Sequence, residues 1–320
     1  MKVLFTADLH IKTGQKNVPV AWARDRYDQM FAEFDRVYEE YSCDLEIHGG
    51  DIFDKLPSLE ELNIYCSYIA KNRDKNFIIF DGNHEATKKG KTFFTYLIDI
   101  IESVNPNAEV ILTPQVRHNM QFLPYCYLHK DLDKLKPEAS TLCTHVRGEI
   151  PPHVTPEVDL EYFSKWEVVL AGDLHAHSNS QRNIVYPGSP VTVTFHRNEV
   201  NTGVIVFDTE TLEWDWERIE VPQLIRKTVE EEKDMVKTDY HHTIYELVGN
   251  IVNLSKVDKN AALLDKKIVI NDQPATLDLQ DMTIREEVQL YLDKVLNLDN
   301  KQIEDILKVY DNNSREIEVQ

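Results

Sequence analysis

The chain is poor in cysteine, and the few it has are not placed to act together. Cys43, Cys66, Cys126 and Cys143 form no C-x-x-C pair. That argues against a thiolate zinc site or a disulfide framework and suits a reducing cytoplasm. No stretch approaches the roughly 18 consecutive apolar residues of a membrane-spanning helix. The opening MKVLFTADLH carries one lysine and an apolar run too short for a signal peptide. A cytoplasmic protein with no membrane partner is therefore expected. Positive charge is also scarce, with 35 Lys and Arg against 55 Asp and Glu and a formal net charge of −20. Such a chain has no broad basic face with which to coat nucleic acid. Chemistry on phosphodiesters stays open, because bound cations can supply positive charge locally. Internal repeats and low-complexity linkers are absent too.

What is there is a regular alternation. Lys2–Ala7, Leu45–His48 and Phe77–Phe80 are short apolar runs that predict buried strands. Between them, Arg24–Tyr41 places Met30, Phe31, Phe34, Val37 and Tyr38 at helical spacing, and Ser58–Ala70 also reads as a helix. Strand-helix alternation implies a largely parallel sheet covered by helices. From about residue 108 to 221 the pattern turns β-rich, through EVILT, STLCTH, WEVVLA, NIVYPGSPVTVTF, TGVIVFD and LEWDWERIEV. An α/β fold with two sheets face to face and helices outside accommodates both halves. The character shifts near Val221–Pro222, which separates a domain at 1–221 from a smaller one at 222–320.

Polar donors cluster where the apolar runs end. Asp8 and His10 follow the first run, Asp51 the second, and Asn83 and His84 the third. His145 closes LCTH, and Asp173, His175 and His177 follow VVLA within AGDLHAHS. Strand ends converging on one edge are where α/β folds build their sites. Any one of these pieces arises readily by chance, whereas their order, each after an apolar strand, does not. Oxygen and nitrogen donors without sulfur suit Mn²⁺, Mg²⁺, iron or zinc. They outnumber the needs of one tetrahedral ion and match two divalent ions sharing a carboxylate. Glycines at 49, 50, 82 and 172 fit sharp turns that aim such ligands.

These ordered motifs (ADLH, GGDIFD, GNH, the isolated His145 and GDLH) resemble the calcineurin-like metallophosphoesterases over roughly residues 1–220. The stretch IVYPGSPVTVTFHRNE at 184–199 is similar to a segment of the SbcD-type DNA-repair nucleases and their phage counterparts. The resemblance implies a β-sandwich flanked by helices, with a smaller α+β capping domain at the C-terminus. It implies two divalent ions, Mn²⁺ above all and Mg²⁺ as an alternative, and cleavage of DNA ends and single strands. It also implies a homodimer, an SbcC-type coiled-coil ATPase as partner, and the host cytoplasm if the protein is of phage origin. By the same resemblance Asp8 and His10 would hold the first ion, Asp51 would bridge, and Asn83 and His145 would hold the second. His84 would be the catalytic residue, contacting the scissile phosphate or protonating the leaving oxygen.

The sequence departs from the family at two points. Glu85 follows His84 where the family has aspartate, and GDLH stands where it has G-H-x-H. With Gly172 marking the register, Asp173 and His175 are the last ligands, with Asp173 on the second ion and His175 on the first. With a two-residue shift, His175 and His177 take those places and Asp173 moves outward. Lys88, Lys89, Lys91, Arg182, Tyr186, Gly188, Ser189, His196 and Arg197 are the candidate DNA contacts around this edge. The acidity of the chain predicts weak, salt-sensitive DNA binding without the partner. Apolar stripes at Glu286–Leu296 and Gln302–Tyr310 either pack within their own domain or dock on the partner. A phosphodiesterase for small nucleotide substrates, and a non-catalytic scaffold on the same fold, are the alternative functions.

Overall fold

The computed structural model describes residues 1–88, 91–258, 263–270 and 282–317, without the side chains of Lys88, Asp131 and 312–317. The chain divides into two compact units, Met1–Lys227 with Lys237–Ile244, and Thr228–Val236 with Tyr245–Gln320.

The first unit is an α/β sandwich. Its larger sheet has the order Trp214–Arg218, Gly203–Asp208, Lys2–Thr6, Leu45–Gly49, Phe77–Phe80 and Ala108–Ile111. The last four of these strands run parallel. The smaller sheet has the order Ile184–Val185, Val168–Gly172, Thr141–His145, Met120–Leu123 and Gln115–Arg117, parallel except at the final edge. Side chains alternate along each strand. Val3, Phe5, Ile47, Ile78 and Phe80 meet Met120, Phe122, Cys143 and Leu170 between the sheets. Leu4, Ile79 and Val206 face the other way, into a cluster with Tyr27, Met30, Phe34, Tyr65 and Ile69 of the helices Val20–Glu40 and Leu59–Lys71. Leu142, Val169 and Ala171 turn outward from the smaller sheet onto Leu128, Leu160, Phe163 and Trp166. Each fully buried Val, Leu, Ile, Phe or Met among them contributes about 1.5–3 kcal/mol by leaving water.

The first helix begins at Val20, ahead of the expected Arg24, directly after an extended Pro19 at its N-cap. A larger difference lies in NIVYPGSPVTVTF, where only Ile184–Val185 is a strand. Pro187 and Pro190 remove ladder donors, and Gly188 has φ 81°. Thr192 spends its carbonyl on Arg26 Nη1 at 3.0 Å and its hydroxyl oxygen on the N–H of Leu224 at 2.8 Å. The alternation in VTVTF therefore reflects burial of Val191 and Thr192 in an irregular segment.

In the second unit, Tyr245–Gly249, the later part of the strand His242–Gly249, pairs in parallel with Leu264–Val269. The helices Ile284–Lys294 and Asn300–Ile317 pack through Leu292, Ile303 and Leu307 and are tied by Arg285 to Asp311 at 2.8 Å. Among the described residues, no helix is long and apolar enough to cross a membrane.

Candidate metal centre

Five parallel strands, three from one sheet and two from the other, deliver their following residues to one place. The first two loops are laced together, Asp8 N–H to Gly50 O at 3.0 Å and His10 N–H to Asp51 O at 2.9 Å. Asp8, His10, Asp51 and Asp173 all sit at positive φ, 58°, 44°, 52° and 104°. A non-glycine residue held there costs of order 1–3 kcal/mol. Four such residues in one cluster mark a site whose geometry the rest of the fold enforces. The space is also tight. Gly50 has φ 89°, and a Cβ on Gly82 would lie 2.3 Å from Asp51 Oδ1.

Nitrogen and oxygen ligand atoms converge here. His10 Nε2 lies 3.1 Å from His175 Nε2, 3.7 Å from Asp51 Oδ2 and 3.9 Å from Asp8 Oδ1. His145 Nδ1 donates to Gly49 O at 2.9 Å, which in the neutral ring makes Nε2, 3.5 Å from Asp51 Oδ2, the nitrogen able to ligate. The amide end of Asn83 lies 2.9 Å from His145 Nε2 and 3.1 and 3.3 Å from the Asp51 oxygens. Without a cation the amide NH₂ would turn inward to donate, whereas a cation calls for its oxygen. Asp8, His10 and His175 form one potential ligand group, Asp8, Asp51 and His145 a second, and His10, Asp51 and His84 a third.

Burial makes this arrangement electrostatically uncomfortable. Burial, opposed by His145 and reinforced by Asp51, pushes Asp8 up to about 8. It pushes His10 down to about 3, keeping that ring neutral and able to ligate. Burial also works against Asp51, yet the neighbouring imidazoles of His145, His10 and His84 hold its carboxyl below the usual range. His145 is the counterpart: Asp51, Asp8 and Asp173 outweigh its burial and hold it well above an ordinary histidine. An Asp8 carboxyl that burial leaves protonated and an Asp51 carboxylate that depends on a charged His145 fit a site meant for divalent cations. With cations in place, the rings need not be charged.

His84 lies beside this group, with Nδ1 donating to Asp54 O at 2.6 Å and Nε2 3.9 Å from Asp51 Oδ2. Asp173 donates its N–H to Asp8 Oδ2 at 3.1 Å, while its carboxylate takes two hydrogen bonds from Arg147. His177 turns elsewhere. Its Nδ1 donates to Tyr186 O at 2.7 Å and its ring stacks on Trp216 with centroids 5.2 Å apart.

The candidate DNA contacts scatter. Tyr186 is buried, with its hydroxyl on Val146 O at 3.1 Å. Ser189 is buried too, its Oγ 2.7 Å from both Asp8 O and Val191 O. Neither side chain offers DNA a surface, because both are used to pin loops. A Cβ on Gly188 would lie 3.0 Å from His175 O, so the backbone there is close-packed. Arg182 is exposed and paired with Glu161 at 3.0 Å. Lys91, Arg197 and the half-buried His196 remain at the surface; Lys89 and the Lys88 side chain lie outside the described residues. Two functional supports escaped the sequence reading, Glu85 and Arg147, because each acts on a loop remote in sequence.

Residues 1–207 match the family Metallophos, calcineurin-like phosphoesterase, and the chain belongs to it. It is a metal-dependent phosphoesterase on the α/β fold that its motifs imply. Across nearly its whole length it is also similar to the probable exonuclease subunit 1 of Escherichia phage T5. The two are 39% identical over 320 residues, covering 96% of this chain and 97% of that one. Solved structures are less similar. An archaeal phosphodiesterase is 13% identical with a TM-score of 0.40, over 68% of this chain and 100% of that one. A Thermus thermophilus protein is 12% identical with a TM-score of 0.44, over 68% and 98%.

Proposed function

We propose that this protein is a DNA nuclease that cuts duplex ends and single strands with two Mn²⁺ ions, or Mg²⁺ in their place. The observation that carries this reading is the convergence of Asp8, His10, Asp51, Asn83, His145, Asp173 and His175. It occurs in a chain 39% identical to a phage protein named as an exonuclease subunit. Asp8, His10 and His175 would hold one ion, Asn83, His145 and Asp173 the other, and Asp51 would reach both. Such a pair of ions lowers the pKa of a water and offsets charge on the phosphoryl oxygens. His84, half-exposed beside Asp51, would meet the substrate and hand a proton to the leaving oxygen.

The same reading makes the chain the nuclease subunit of an SbcCD-like complex for DNA recombination and repair, working in the host cytoplasm. The word "subunit" in the phage relative's name supports a partner. Residues 222–320 would cap the nuclease domain and meet the coiled-coil ATPase, which suits the exposed Ile284, Tyr291, Val295, Ile306 and Val309. A homodimer belongs to the same reading.

The test is purified protein with Mn²⁺ on end-labelled duplex DNA, single-stranded DNA and a chromogenic phosphodiester. Cleavage of both DNAs is expected. Cleavage of the small ester alone would overturn the nuclease reading in favour of a small-substrate phosphodiesterase.

A further inference from the structure

Among the described residues, Arg147 is the charged partner of Asp173 that lies outside the donor cluster. Its Nε and Nη2 donate to Asp173 Oδ2 and Oδ1 at 3.2 and 3.3 Å, a side-on, two-point contact. The two ends differ in setting: the guanidinium is 43% exposed and the carboxylate 6%. An exposed ion pair of this kind contributes little to stability. Here, however, Asp173 Oδ1 lies 4.0 Å from His145 Nε2, and the Asp173 N–H bonds the Asp8 carboxylate. The site thus gathers a third carboxylate beside Asp8 and Asp51, on a backbone at φ 104°. A third negative charge is costly there unless something balances it.

Arg147 is placed to do so by the sheet. His145 and Gly172 are registered partners on adjacent parallel strands, so the residues just beyond each lie side by side. Its backbone is fixed in turn, with the Arg147 N–H donated to Glu157 Oε1 at 2.8 Å. Glu157 also accepts from the Tyr125 hydroxyl at 3.1 Å.

We propose that Arg147 is a positioning residue for the metal centre. It balances the charge of Asp173 and fixes both its oxygens, so that this carboxylate can serve the second ion. Together, Arg147 and Asp173 are equivalent in charge to one neutral imidazole. The proposal rests on the two-ion reading given above.

Mn²⁺ titration by calorimetry, with no substrate present, tests it. Arg147→Ala should weaken one of two sites by about 10- to 100-fold, the range seen when an outer partner of a ligand is lost. Adding Asp173→His to Arg147→Ala should restore the weakened site, since an imidazole needs no counter-charge. Arg147→Lys guards against a folding defect: it should melt like the unsubstituted protein yet bind the second ion more weakly. Unchanged binding in Arg147→Ala or Arg147→Lys, or a double variant as weak as Arg147→Ala, would overturn the proposal alone. No Mn²⁺ binding by the unsubstituted protein would overturn the metal-centre reading and the proposal with it.

Discussion

Glu85 Oε2 accepts the backbone N–H of Asp51 at 2.9 Å, although the two residues sit on different loops. The same carboxylate takes the N–H groups of Gly82 at 2.8 Å and Phe53 at 3.0 Å. One buried side chain therefore ties the second ligand loop to the third. Glu85→Ala leaves three buried donors without a partner, each costing about 1–3 kcal/mol before any relaxation. A fall of several kcal/mol in unfolding free energy is expected, with Mn²⁺ affinity falling alongside. Denaturant titration beside metal titration checks it, and a variant as stable as the parent would show that water replaces Glu85.

His84 makes a different prediction because its ring lies beside the donor cluster, anchored through Nδ1 to Asp54 O at 2.6 Å. Its ring is half-exposed and fixed by Asp54 O, while its own N–H steadies Asp51 Oδ1 from the backbone. His84→Ala keeps that backbone bond. Cleavage should fall by about 10²–10⁴, the usual contribution of general acid–base help, with metal content intact. Nuclease assays and elemental analysis of the same sample decide this. Cutting at the parent's rate would remove His84 from the chemistry.

The strand ends were legible because each donor directly follows an apolar run whose period is short. Folding places such ends together wherever the strands run parallel, and here they do. What a linear reading could not reach is the layer behind them. Glu85 looked like a neighbour of His84, but besides Gly82 its carboxylate has partners 32 and 34 residues away in sequence. Arg147 meets Asp173 only because two strands are adjacent in a given register. Tyr186 and Ser189 carry polar atoms and so resembled surface contacts, yet those atoms satisfy buried carbonyls. Polar identity alone does not tell a ligand-facing group from one that pays a backbone debt.

Ser189 turns that last point into an experiment. Its hydroxyl reaches both Asp8 O and Val191 O, and its N–H donates to His175 O at 3.1 Å. Ser189→Ala should cost about 1–3 kcal/mol of stability and should weaken Mn²⁺ binding by disturbing the Asp8 loop. DNA affinity measured in EDTA should not change. A loss of that affinity with stability intact would restore Ser189 as a DNA contact.

Asp173 and His177 separate the two registers of GDLHAH. His177 is held by Trp216 and Tyr186 O, away from the donor cluster. His177→Ala should therefore cost about 1 kcal/mol and leave both metal affinities alone. Asp173→Ala should weaken one ion substantially. Calorimetric Mn²⁺ titrations of both variants discriminate, and the opposite pattern would favour the shifted register.

Glu61 links folding to pH behind the first ligand loop. Its carboxylate accepts the N–H of Ser58 at 2.8 Å, closing a capping box on the helix Leu59–Lys71, and the N–H of Thr13 at 2.8 Å. Burial opposes its ionisation, but these donors outweigh burial and hold its carboxyl below the ordinary value of 4.5. A carboxyl lowered by folding adds stability that is fully present above that ordinary value. The contribution disappears as pH falls through the folded value. The parent should thus lose part of its stability in acid below about 4.5 through this group. Glu61→Gln, which keeps an acceptor but cannot titrate, should be less stable at neutral pH and should show a flatter acid limb. Urea midpoints measured from neutral pH down to the acid range test it. Parallel curves for parent and variant would mean that Glu61 does not contribute to the acid sensitivity of the fold.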